Sequence, residues 1–374
     1  MIGLRNMAAA GMAGVLSAAL AGMAIAGAPL SLAPPLSRDV SAPPTAHAAP
    51  RSHRAKPKPH EPAVAKGKVA HRPVPEAATP KVETVGAAGS ATELDYAYGA
   101  FQRGYYLTAF GLATQKVEAT GDAKSMTLLG ELYANGFGVP QDDKKAADWY
   151  RLAAERGDRE AMFALAMFRL GGRAGSANRE EAAKLLARAA QFGHVAAAYD
   201  LGLFYLEGQL FPQDFGRAAE LFRSAAEAGS PEAQYALATL YKEGRGVAKD
   251  VNETARWMSA AAAADNTDAQ VEFAIALING VGVAKDETRA AELLKRAARK
   301  GSPIAQNRLA SILTVGRGLP TDPVEAIKWH LVSKAGGEND PRLDDFMSKQ
   351  SPEIRAAGEK AAQPFIDAIK ASRP

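Results

Sequence analysis

Between about residue 92 and residue 338 the apolar positions fall at helical spacing, and they do so in blocks. In one block Ala233, Leu237, Ala238 and Tyr241 stand at i, i+4, i+5 and i+8, a single apolar stripe on a helix. Ala255, Trp257, Met258, Ala261 and Ala262 form a second stripe downstream. The residues between them cannot extend either helix. Gly244 stands where the first helix needs a left-handed residue to end, and Gly246-Val247 turns the chain so that Val247 can tuck into the helix–helix seam. Asp250 is placed to accept a backbone N–H at the start of the second helix, and Glu253 completes a capping box. The pattern predicts helix, a loop of seven residues, helix.

This block recurs every 36 residues without an insertion. Gly136, Gly172, Gly208, Gly244, Gly280 and Gly316 form one column; Asp142, Asn178, Asp214, Asp250, Asp286 and Asp322 form another. Ala153, Ala189, Ala225, Ala261, Ala297 and Ser333 make a third, and Gly157, Gly193, Gly229, Asp265, Gly301 and Gly337 a fourth. In Asp322-Pro323-Val324-Glu325 the cap, a first-position proline and an acid follow in order. Paired alanines let helices approach closely, and Trp149, Trp257 and Trp329 fill the wider gaps. A two-helix unit cannot bury its apolar face alone, so the units must stack. The expected fold is all-α, a right-handed α-solenoid of helix–turn–helix units over residues 91–340. Upstream, Ala100-Phe101, Gly104, Tyr106, Ala109 and Ala113 predict a related unit with a shorter loop. Beyond Pro341, Leu343, Phe346, Met347, Ile354 and Ala357 predict a helical cap over 341–374. Two units depart from the frame: one has Arg169 and Ala174-Gly175, the other Leu210-Phe211, and altered loops are expected there.

The first ninety residues carry no such period. Residues 1–26 read as a signal peptide, with Arg5, an uncharged apolar run from Met7, and Ala24-Ile25-Ala26 as the small-x-small site. An uncleaved inner-membrane anchor facing the periplasm is the alternative, since a run of this length can span a bilayer. Residues 27–90, rich in Pro, Ala and Lys, offer almost nothing to bury and predict a disordered spacer. His47, His53, His60 and His71 are scattered through it without a fixed geometry, so no metal site is expected there.

Charge refines this picture. The net charge of +4 is uneven: residues 1–81 hold ten Lys/Arg against three acids, and the remainder 35 against 38. The helical part therefore lacks the electrostatic footprint of a nucleic-acid binder. The basic spacer suits weak contact with an anionic cell wall or membrane surface. The chain has no cysteine, which removes disulfides, thiolate metal sites and Cys nucleophiles. Most of the loops carry only one or two acids, well short of the oxygen ligands calcium takes. No phosphate-cradling glycine loop, metalloprotease helix or nucleophile elbow is present, and His194 and His330 fall in different repeats. The sequence predicts no catalytic residue, no metal, no cofactor and no enzyme.

The columns resemble the Sel1-like repeat, a relative of the tetratricopeptide repeat. The resemblance spans about residues 123–338 and is densest at Leu129-Gly130, Tyr133, Gly136, Gly138-Val139, Asp142, Ala146, Trp149-Tyr150, Ala153-Ala154 and Gly157. It implies an adaptor. Exported bacterial members are similar to regulators that bind sensor proteins, to factors for envelope assembly or polymer production, and to secreted host-interaction proteins. The expectation is therefore a periplasmic or secreted protein–protein interaction scaffold, regulating an envelope sensor or envelope or exopolysaccharide assembly. A peptidoglycan- or carbohydrate-active envelope factor, enzyme or cell-wall binder, is the alternative. Some cysteine-rich members are described as β-lactamases, but this chain lacks their cysteine pairs and an S-x-x-K nucleophile in its helical part.

In such superhelices the first helices line the concave face. Asp200, Glu272 and Arg308 share one variable column there, and Phe163, Tyr199, Tyr235 and Asn307 share the one before. Aromatics flanked by charge suit a protein or peptide segment, and these seven residues are the expected groove contacts.

Overall fold

In a computed structural model of the chain, the structure describes residues 95–208 and 211–372. The segments assigned above to export and spacer, and Leu210 in one of the divergent loops, lie outside the described residues. Among those described there are sixteen helices and no strand. A short pair, α1 (Tyr96–Gln102) and α2 (Tyr106–Thr120), comes first. Six pairs of equal helices follow: α3 (Ala123–Asn135) with α4 (Asp143–Glu155), α5 (Arg159–Gly171) with α6 (Arg179–Gln191), and α7 (Val195–Glu207) with α8 (Phe215–Glu227). The series continues with α9 (Pro231–Glu243) and α10 (Val251–Ala263), α11 (Thr267–Asn279) and α12 (Glu287–Arg299), then α13 (Pro303–Val315) and α14 (Pro323–Ala335). Finally come α15 (Pro341–Ser348) and α16 (Pro352–Ala371).

The loop between paired helices is closed by local hydrogen bonds. The six C-cap glycines lie in the left-handed region, φ +66° to +73°, and Gly244 N–H donates to the Leu240 carbonyl at 2.9 Å. The cap column behaves as its chemistry requires: Asp250 accepts from the N–H groups of Asn252 and Glu253, and Asp322 from Glu325. The capping box does not form. The N–H of Asp250 already donates to the Tyr241 carbonyl at 3.1 Å, and that of Asp322 to Leu313 at 3.2 Å. Glu253 and Glu325 are thereby released to accept from the indole N–H of Trp257 and Trp329, each at 3.0 Å.

The helices pack in series, each against its neighbours in the chain, so the fold is an all-α solenoid. The Ala153 column is the reason they fit: Ala153, Ala189, Ala225, Ala261, Ala297 and Ser333 are all 0–1% exposed. A second small column works with the residue 20 positions downstream. Gly130 and Gly202 oppose Tyr150 and Phe222, where an added Cβ would lie 2.6 Å from a ring carbon. Where the downstream residue is Leu186 or Leu294, the small residue is Ala166 or Ala274.

Neighbouring units also touch through their loops. A Cβ on Gly246, Gly282 or Gly318 would overlap the carbonyl oxygen of Phe215, Val251 or Glu287 in the unit before. Ala174 occupies this column in the first divergent unit, with φ +61°. Arg173 anchors the altered loop: it lies 4.1 Å over the Phe168 ring, pairs with Asp143, and donates to the Ala134 carbonyl at 2.8 Å. At the C-terminal end α16 folds back onto α14. Ala357 is exposed, and Gly358 and Ala362 make the contact instead. A Cβ on Gly358 would lie 2.5 Å from Ile327 Cγ2, so only glycine lets the helices close.

Candidate partner-binding face

The first helices of the six pairs, α3, α5, α7, α9, α11 and α13, run in register because the 36-residue period is unbroken. Each starts on a side chain that accepts from the N–H three residues on: Asp122, Asp158, His194, Ser230, Asn266 and Ser302. His194 caps through Nδ1, 3.1 Å from Ala197 N, and its other nitrogen lies 3.2 Å from Glu160. A buried glutamine column adds to this frame. Gln234, Gln270 and Gln306 donate to the carbonyls of Ala226, Ala262 and Ala298 at 3.1–3.3 Å, tying each first helix to the end of the helix before it. Nothing in the local pattern marks these glutamines; only their 36-residue spacing could have.

On this frame the seven expected contact residues fall into different settings. Phe163 is half-buried and stacks on His194 with ring centroids 4.3 Å apart. Tyr199 and Asp200 are buried; the Tyr199 ring lies 5.6 Å from that of Phe222, so it packs within its own unit. Tyr235 is half-buried. Glu272 is half-buried and pairs with Lys242 on α9, 2.7 Å away, which bridges adjacent first helices. Asn307 is buried and hydrogen-bonds to Asp340, whose carboxyl is held below its ordinary range by Arg342 first and by Asn307 in smaller part. Arg308 is exposed. One column thus runs from buried Asp200 to exposed Arg308. Burial first, then the charges of Asp200 and Glu232, push the Tyr199 phenol up. The same holds for Tyr235, with Glu272, Asp268 and Glu243 as the charges. Tyr199 thus feels acids on α7 and α9, and Tyr235 acids on α9 and α11.

Other features bear on chemistry. His330 is 1% exposed and lies 2.8 Å from Asp344 on α15, so it fastens the C-terminal helices. Among the described residues no group of three or more His, Cys, Asp or Glu is placed to hold a metal ion. No described helix is long and apolar enough to cross a membrane.

The family model for the Sel1 repeat matches six consecutive stretches, residues 123–158, 159–194, 195–230, 231–266, 267–302 and 303–334. The chain belongs to the Sel1 repeat family. Its repeat boundaries coincide with the starts of the first helices and leave α1, α2, α15 and α16 outside. Among solved structures, a Sel1 repeat protein from Oxalobacter formigenes is 25% identical, with a TM-score of 0.55 over 68% of this chain and 97% of its own. The protein c5321, described as a protective antigen of uropathogenic Escherichia coli with an SLR fold, is 24% identical. Its TM-score is 0.51, over 75% of this chain and 73% of that one. No match was found among curated proteins. Sel1 repeat arrays are, as a class, protein-interaction scaffolds.

Proposed function

We propose that this Sel1 repeat protein is a non-catalytic scaffold that takes a protein or peptide segment along the concave row of its first helices. It works in the periplasm or outside the cell, delivered there by residues 1–26, and serves an envelope sensor or the assembly of envelope or exopolysaccharide. One observation carries the docking reading: a frame that hardly changes holds a row that does. Caps, C-cap glycines and packing alanines repeat from unit to unit, whereas one first-helix column reads Leu128, Ala164, Asp200, Ala236, Glu272, Arg308. Four of these six are buried, so the variety open to a partner is carried by Glu272 and Arg308, where recognition of a particular segment would use it. The basic spacer, residues 27–90, supports weak contact with an anionic wall or membrane surface.

A photoreactive residue placed in intact cells at Glu272 or Arg308 is expected to capture a discrete protein. The same group at Glu292, exposed on the second helix α12, is expected to capture none. Equal capture at all three positions would reject the docking face. Export is tested separately by fractionation, and recovery of the chain from the cytosol would overturn it.

A further inference from the structure

Two polar groups on α7 lie buried without partners. The Tyr199 hydroxyl is fully buried and makes no hydrogen bond. Beside it Asp200 is only 7% exposed, and no hydrogen bond or ion pair reaches its carboxylate. A carboxylate in that setting is unfavourable unless a cation or a donor arrives to match it. Burial pushes the Asp200 carboxyl up to about 7, the response of a group that lacks a counter-ion.

The surroundings say which match is missing. Tyr199 senses the charge of Asp200 and Glu232, and Tyr235 senses Glu272, Asp268 and Glu243. Lys242 pairs with Glu272 at 2.7 Å and Arg245 with Glu243 at 3.4 Å, so Asp200, Glu232 and Asp268 are the acids that no ion pair offsets. Arg308 comes a full unit later, on α13, at the end of the acidic stretch. Aromatic faces among carboxylates favour a cation over a neutral donor.

We propose that α7, α9 and α11 hold a subsite for a lysine or arginine side chain of the docked segment, set against Tyr235 with Asp200 as its counter-ion. The proposal rests on the first helices being the docking face and adds the chemistry of what they take: a basic segment. Glu232, exposed at the start of α9, contributes attraction from the edge.

The test uses the purified full chain and fluorescein-labelled nonapeptide pools whose central residue is Arg, Lys, Leu or Glu, with randomised flanks, followed by fluorescence anisotropy. The Arg and Lys pools are expected to bind on the order of tenfold more tightly than the Leu pool, with the Glu pool weakest. Asp200→Asn should cancel that margin, Glu232→Gln should reduce it by about twofold, and Glu292→Gln should leave it intact. Because Glu232 is exposed, its variant tests the subsite even if Asp200→Asn perturbs folding. A Leu pool as tight as the Arg pool overturns the subsite, and so does a margin that survives Asp200→Asn. If pools bind yet Tyr235→Ala and Arg308→Ala leave every affinity unchanged, the docking face is itself misplaced. Binding of no pool rejects both.

Discussion

The pairing of Gly202 with Phe222 makes a quantitative demand on the fold. Gly202 is buried in α7, and Phe222, 0% exposed, presses on it from α8. In Gly202→Ala the new Cβ would lie 2.6 Å from Phe222 Cε1 and 2.8 Å from Cδ1. Ordinary carbon contacts lie at about 3.5–4.0 Å, so the ring must shift by nearly an ångström. It has little room, because Phe222 is fully buried and the Tyr199 ring lies 5.6 Å from it. Overpacking of this kind costs about 1–3 kcal/mol, while removing a mid-helix glycine returns roughly 1 kcal/mol. The single variant should therefore be destabilised by at most about 2 kcal/mol. Phe222→Leu alone leaves a gap above Gly202 and also destabilises. The double variant recreates the Ala166–Leu186 and Ala274–Leu294 arrangement that the chain uses elsewhere. It should be more stable than the sum of the singles by about 1–3 kcal/mol, where independent sites add to within about 0.5 kcal/mol. Urea titration followed by far-ultraviolet circular dichroism measures all four corners of this cycle. Additivity would refute the claim that the small and large columns are coupled by direct contact.

Four further outcomes are expected. Gly282→Ala, whose Cβ would overlap the Val251 carbonyl at φ +67°, should cost at least about 2 kcal/mol in the same titration. Ala174→Gly, at φ +61°, should gain up to about 1 kcal/mol; equal effects of the two would sink the assigned loop contact. Asp265 holds the left-handed position at φ +72° and pairs with Arg296 and Lys300 on an exposed face. At molar salt, where such pairs are screened, Asp265→Gly should be more stable than the parent, and a loss there would show that the pairs and the Gln270 hydrogen bond outweigh the backbone strain. For Asp200 the folded-state carboxyl is pushed up to about 7 from its ordinary 3.8. The folded form thus binds the proton more tightly than the unfolded chain, and stability falls as pH rises from about 4 through 7. The fall is at most about 4 kcal/mol at 1.36 kcal/mol per unit. Asp200→Asn should flatten this dependence in thermal melts at pH 5 and pH 8, and an unchanged slope would reject it.

The period and its punctuation settled most of the architecture, because every helix end is closed by bonds within about ten residues of chain. A glycine that ends a helix, an aspartate that caps the next and an alanine that admits a neighbour act over that range, so their columns suffice to place α3 to α14. The predicted capping box fails to form for the same reason. Glu253 and Asp250 are a valid local pair, but the Tyr241 carbonyl, nine residues back across the loop, takes the N–H for which Glu253 would compete. Whether a residue on the first helices faces a partner is another matter. Asp200 and Arg308 hold the same register and the same helix face, yet one is buried and the other exposed. Asn307, one column earlier, is drawn under Asp340 at the C-terminal end. Exposure depends on the bulk of side chains in adjacent units and on how the chain ends fold back, contacts between residues far apart in sequence, and no spacing rule within one repeat encodes them.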